Sequence, residues 1–178
     1  GQPDEPSDST SRLDFRSDEM IRTTQYWSIF ATFAIGATAG LMCIGLMKQF
    51  PAQALIGSGL NETLADSIAG SAMVVFAIAN ALGRIGWGKI SDVMGQAINC
   101  DHRGRQLSLI IMMSSQGLFV TLFAYIAGNE ALLYLFAALI GFNFGGNFAL
   151  FPAITTDTFG HKFFGQNYGY VFLAYGLG

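Results

Sequence analysis

Arg84 stands inside a long apolar run, residues 67–87, that carries no other charge. A guanidinium in hydrocarbon is costly unless it faces a cavity, pairs with a carboxylate or reaches out to the headgroups. All three readings are open from sequence. Facing a cavity, its fixed fork of N–H donors would hold a small organic anion through its carboxylate, which is binding chemistry and needs no covalent step. Asn80 lies one helical turn away. Gly70, Ala77, Asn80, Ala81 and Arg84 are spaced three, four or seven apart, so a helix puts them on one side. Small and polar residues on one stripe mark a packed or wet face, not a lipid face. Asn80 then either adds a neutral hydrogen-bonding group to the Arg84 wall or bonds a neighbouring helix. Asn143 and Asn147, four apart in another apolar run, share a face as well, and two amides there need partners.

Covalent chemistry has little to work with. Cys43 is the one cysteine inside an apolar run, no histidine lies in any run, and Ser114 and Ser115 have no base nearby. Enzyme activity is not expected. Cys43 and Cys100 are far apart, and His102 and His161 have no Cys or His at ligand spacing, so neither a metal nor a cofactor is expected.

The elements that position these residues follow from composition. Of the 178 residues, 52% are hydrophobic and 12% charged, against roughly 25% charged in a soluble domain. Residues 29–46, 67–82 and 107–127 contain no charge. Each window approaches the ~20 residues that cross a ~30 Å hydrocarbon core. The expected fold is all-α integral membrane, with spans near 26–47, 67–87, 107–127 and 131–154, and a fifth from about 167 that is cut off at 178. The runs are continuous, not alternating, which excludes a β-barrel. Residues 1–24 are polar and read as a largely disordered loop, in which Asp18, Glu19 and Met20 are expected to begin a short interfacial helix. Residues 48–66 and 88–106 read as loops too. A net charge of −3 does not suggest a nucleic-acid partner.

Alternate loops must lie on alternate sides. One side collects Arg12, Arg16, Arg22, Lys89, Arg103, Arg105 and Lys162, and the other holds only Lys48. Seven against one makes the first side, and the N-terminal segment with it, cytoplasmic. The chain starts without methionine and stops inside an apolar stretch, so the expectation is a piece of a larger membrane protein in the plasma (inner) membrane.

Two stretches carry a family resemblance. Gly88, Asp92 and Gly95 form G-x-x-x-D-x-x-G, and with Gly83-Arg84 they extend to GR-x-x-x-G-x-x-S-D. The first pattern resembles the loop signature of the major facilitator superfamily of secondary transporters. The longer one is similar to the second-half copy of that signature in the oxalate/formate antiporter family. Residues 141–176, with FGGN, LFPA and FG-x-x-x-FG-x-NYG in order, resemble the same family's tenth helix, the loop after it and the start of its eleventh.

The resemblance implies that the spans are helices seven to eleven of a twelve-helix carrier, whose other six-helix half is a required partner alongside the bilayer and a small carboxylate substrate. It implies a gating network in which Asp92 caps the start of the fifth span near residues 165–168 and pairs with arginines. A basic residue expected after Gly95 is replaced by Gln96, so Arg103 and Arg105 are the candidates to supply that charge. It implies that the fourth span borders a central cavity, where Asn143 and Asn147 would line a polar path. Pro152 should end or kink that span. Phe142, Phe144, Phe148 and Phe151 read as packing or lipid contacts. It places Tyr175 near a lysine position of dicarboxylate carriers, which suits a monocarboxylate better than oxalate. The expected function is secondary active transport of a small organic anion, such as formate or oxalate, by alternating access. A non-transporting membrane sensor or scaffold on the same fold is the alternative.

Overall fold

The computed structural model describes residues 14–177, and every described element is helical. The chain runs through α1 (Ser17–Met20), α2 (Thr24–Leu46), α3 (Gln49–Gly57), α4 (Glu62–Ala97), α5 (Asp101–Ile126), α6 (Glu130–Phe159) and α7 (Phe164–Phe172), then a 3-10 turn (Leu173–Gly176). Helices α2, α4, α5 and α6 are long and apolar enough to cross a membrane. The fifth expected span is helical from Phe164 but tightens at Leu173.

Short polar side chains start the long helices. Thr23, Asn61 and Asn129 each accept a bond from a backbone N–H of the first turn, at 3.2, 2.8 and 3.1 Å. Gly160, at φ 85°, ends α6. The helix passes through Pro152 without stopping. The hydroxyls of Thr155, Thr156 and Thr158 donate to the carbonyls of Phe151, Pro152 and Ile154 in the preceding turn.

Two expected loops are mostly helix. In the stretch 48–66, α3 occupies nine residues, with Pro51 in its first turn and Leu55 buried. In the stretch 88–106, α4 continues to Ala97 and α5 begins at Asp101. At ~1.5 Å per residue the 36 residues of α4 reach about 54 Å, well beyond a ~30 Å hydrocarbon core. The stop is a Schellman turn. Asn99 adopts φ 52°, its N–H bonds Gln96 O at 3.2 Å, and Cys100 N–H bonds Gly95 O at 2.9 Å.

In the polar N-terminal segment α1 covers Asp18, Glu19 and Met20, where a short helix was expected, and the residues around it are packed where a largely disordered loop was expected. Residues 1–13 of the expected loop lie outside the described residues, but 14–24 pack against the bundle. Phe15 N–H bonds Phe159 O at 3.0 Å, and the Asn167 amide bonds both Phe15 O and the Ser17 hydroxyl at 2.9 Å. Met20 is fully buried.

Helices α4 and α6 form the most extensive pair. Glycines set their distance. A Cβ on Gly83 would collide with the Phe142 carbonyl, one on Gly141 with that of Phe76, and one on Gly145 with that of Asn80. The two backbones touch along this seam, and it positions the site.

Candidate functional site

Three clusters of polar side chains emerge, and the residues expected to act together fall into different ones. The first is an open wall on α4 and α6. Gly145 brings α6 against Asn80 O and Arg84 N, so the next turn of α6 delivers Phe148 beside Arg84. The Arg84 Cζ sits 4.6 Å from the centre of the Phe148 ring. Its Nη2 lies 3.5 Å from Asn80 Oδ1, at the limit of a hydrogen bond. Tyr175 packs its ring 5.6 Å from that of Phe148. Arg84 is exposed, while Asn80, Phe148 and Tyr175 are half-buried. Among the described residues no carboxylate pairs with Arg84.

The composition of α4 distinguishes two exposed stripes. Val74, Ile78, Leu82 and Ile85 are each between 57% and 62% exposed and follow one another at spacings of three and four. Rotated from them, Ala77, Ala81, Arg84 and Gly88 form a second stripe, with half-buried Asn80 beside it and Met73 one turn before Ala77, in which small and polar residues outnumber large apolar ones. The large aliphatic stripe suits acyl chains. The small one, carrying the cation, suits a packed or wet surface.

The second cluster is internal and holds Asn143 and Asn147, which are therefore not on the Arg84 wall. Asn143 is 4% exposed. Its Oδ1 accepts from Trp87 Nε1 at 3.2 Å, and its Nδ2 donates to Ser115 Oγ at 2.8 Å and to Met112 O at 3.5 Å. It ties α4, α5 and α6 together, the interhelix role and not the path-lining one. Asn147 is 2% exposed and faces α2, where a Cβ on Gly36 would stand 3.2 Å from its Oδ1. That oxygen has no partner. Gln116, which the sequence reading passed over, is 4% exposed with neither amide atom bonded. Its signal was an amide inside a charge-free run.

The third cluster lies at the charge-rich end. Gly88, Asp92 and Gly95 sit on α4, not in a loop, spaced four and three apart on one stripe. Gly95 is buried because Gly104 of α5 presses against its backbone. Nothing touches the position a Gly88 Cβ would take. The Asp92 carboxylate is 62% exposed and 3.9 Å from Arg105 Nη2. Arg105 also pairs directly with Asp157 in the last turn of α6. Asp92 does not cap the fifth span, and α7 has no side-chain cap at all. Arg103 is exposed and joins no ion pair among the described residues. Asp157 was missed in the sequence. A carboxylate in the last turn of a helix opposes the dipole and so needs a cation, and that was the available signal. Arg105 and Asp157 line a cleft of about 540 Å³ with Asp101, His102, Thr156 and His161.

One further cavity, an apolar groove of about 500 Å³, runs between α2 and α5 beside Cys43 and Phe123. Its walls offer almost nothing polar to orient a ligand.

Four helices long and apolar enough to cross a membrane, packed side by side, are the architecture of an integral membrane bundle. The family model of the Major Facilitator Superfamily matches residues 2–178. The chain belongs to the Major Facilitator Superfamily. Members of that superfamily are transporters, not enzymes. Relatives include the uncharacterized MFS-type transporter YhjX of Escherichia coli strain K12, 30% identical over 97% of this chain and 39% of its own length. The oxalate:formate antiporter of Oxalobacter formigenes is 28% identical over 90% of this chain and 35% of its own. Apicoplast pyruvate carrier 1 of Toxoplasma gondii is 26% identical over 94% of this chain and 30% of its own. The chain thus spans under two-fifths of the length of these superfamily relatives.

Proposed function

We propose that this chain forms the second half of a major facilitator carrier that moves a small monocarboxylate by alternating access, with Arg84 as the carboxylate-binding group. The observation that carries the reading is the second stripe of α4. A cation with no carboxylate partner among the described residues sits among alanines, glycine and Asn80, apart from the large aliphatic stripe beside it. A guanidinium offers paired N–H groups in one plane, a match for one carboxylate. A single cation on the wall favours one carboxylate over two. Asn80 and Tyr175 flank it as neutral hydrogen-bonding groups, and the aromatic rings offer an apolar surface for the rest of the substrate. Relatives named for oxalate and formate and for pyruvate support a small carboxylate, with formate and pyruvate the single-carboxylate cases.

The first half of the carrier closes the site from the opposite side. The charge-rich end, with Asp92, Arg105 and Asp157, faces the cytoplasm and serves gating, in keeping with the seven-to-one distribution of cations. Uptake assays in liposomes holding the complete carrier test the reading, with formate, oxalate, lactate and pyruvate as probes. Saturable flux of a monocarboxylate, lost in Arg84→Gln, is expected. Flux of no carboxylate, or flux that survives Arg84→Gln, overturns it.

A further inference from the structure

We propose that Phe148 is a positioning residue for substrate binding. Its ring supports the face of the Arg84 guanidinium and leaves the edge free for the carboxylate. The inference rests on the reading of Arg84 above and adds a specific role for a residue that sequence assigns to packing.

The four phenylalanines of that part of α6 are not equivalent. Phe144 and Phe151 are 2% and 0% exposed and belong to the core. Phe142 fills the space over Gly86 and Trp87. Phe148 alone of the four lies beneath a cation. At 4.6 Å the guanidinium carbon is within the ~6 Å over which an aromatic face attracts a cation.

The ring is itself held. Phe144 meets it edge-on at 5.7 Å. Tyr175 lies tilted at 5.6 Å and is stacked in turn on Phe172 at 5.3 Å. The platform is therefore fixed by both α6 and the 3-10 turn.

What distinguishes a ring from an acidic partner is what it leaves available. The N–H donors of a guanidinium lie in its own plane, and its faces have none. A ring beside the guanidinium offers no oxygen acceptor for these donors, so the contact with Phe148 leaves the charge unneutralised. Asn80 lies against one nitrogen at 3.5 Å, and the rest of the edge stays open for a bidentate carboxylate. An aspartate at 148 would occupy that edge and cancel the charge. The ring orders a long, rotamer-rich side chain before substrate arrives, so less freedom is lost on binding. Its effect should fall on affinity rather than on the rate of the carrier's conformational cycle.

The test uses the complete carrier in liposomes with formate and pyruvate as probes. Phe148 is replaced by mono-, di- and trifluorophenylalanine, which withdraw electron density from the ring face with little change of shape. Expected is a KM that climbs with each fluorine, reaching about three- to thirtyfold in the trifluoro variant and in Phe148→Leu. Vmax should stay within about twofold, and Phe148→Tyr should restore the wild-type KM. A flat KM across the fluorine series overturns the proposal, even if Phe148→Leu is impaired, because packing alone would explain that. So does a fall in Vmax at constant KM. Arg84→Gln separates the two levels. If it abolishes carboxylate flux while the fluorine series stays flat, only the role of Phe148 falls. If flux survives Arg84→Gln, the carboxylate reading falls and the positioning role with it.

Discussion

Arg84 and Arg105 both sit on long helices, and their surroundings differ in one respect. Arg105 has two carboxylates from its own chain, Asp157 in direct contact and Asp92 at 3.9 Å, and its side chain is 22% exposed. Arg84 has an aromatic ring, a distant amide and an open side. A cation whose counter-ions are built in holds helices together. A cation held by groups that do not neutralise it is left with binding capacity. The contrast is the physical basis for proposing different roles for the two arginines.

The strongest way to break the contrast is to exchange the charges. Arg84→Gln in the complete carrier removes two charge-assisted hydrogen bonds to substrate, worth about 100-fold or more in KM. The bundle itself should lose no more than about 1 kcal/mol, because among the described residues Arg84 makes no ion pair and only exposed contacts with Phe148 and Asn80. Carboxylate uptake and detergent melting measure both. Arg105→Gln should do the reverse. It strands Asp157, whose side chain is only 14% exposed, and should cost about 2 kcal/mol of stability. The KM for carboxylate should change less than about threefold, while Vmax falls if the α4–α5–α6 end must latch. Neutralising both partners, Arg105→Gln with Asp157→Asn, should recover about half the lost stability. A KM effect at Arg105 as large as that at Arg84 would erase the distinction.

The same contrast shows what the sequence could convey. Charge-free windows placed the four spanning helices because the hydrophobic signal is summed over about 20 residues. Helical spacing put Asn80 and Arg84 on one stripe for the same reason. It also paired Asn143 with Asn147 correctly on their own helix, but it says nothing about which neighbour a face meets. That depends on the glycine seam between α4 and α6, and the seam turned Asn143 toward Trp87 and Ser115. The helical ends were obscured by polarity. Residues 88–97 look like a loop because they are polar, yet they lie where α4 has left the hydrocarbon and can be helical and wet together. Asn99 carried the true stop signal, as a residue that tolerates a left-handed backbone. The order in residues 14–24 comes from Asn167, about 150 positions away, which no local pattern can convey.

Asn143 sharpens the contrast from inside. Asn143→Leu would remove the acceptor of the Trp87 N–H and the donor to Ser115. Interhelix bonds of this kind are worth about 1 kcal/mol in membrane proteins, so a comparable loss in melting stability is expected, with KM unchanged. A KM shift of tenfold would return Asn143 to the substrate path.

The smallest effect is expected at Arg103, and it is the control for the other two arginines. It shares with Arg84 an exposed position and, among the described residues, the absence of an ion pair. It differs in having no aromatic platform and in lying in the first turn of α5, beyond the charge-free stretch. Exposure alone therefore predicts that Arg103 and Arg84 behave alike, whereas the platform and the apolar surroundings predict that they do not. Arg103→Gln should leave stability within about 0.5 kcal/mol and KM within about twofold, as measured by the same uptake and melting assays. If Arg103→Gln instead weakens uptake as severely as Arg84→Gln, cationic charge anywhere on the chain suffices. The small-residue stripe of α4 would then lose its claim to the substrate.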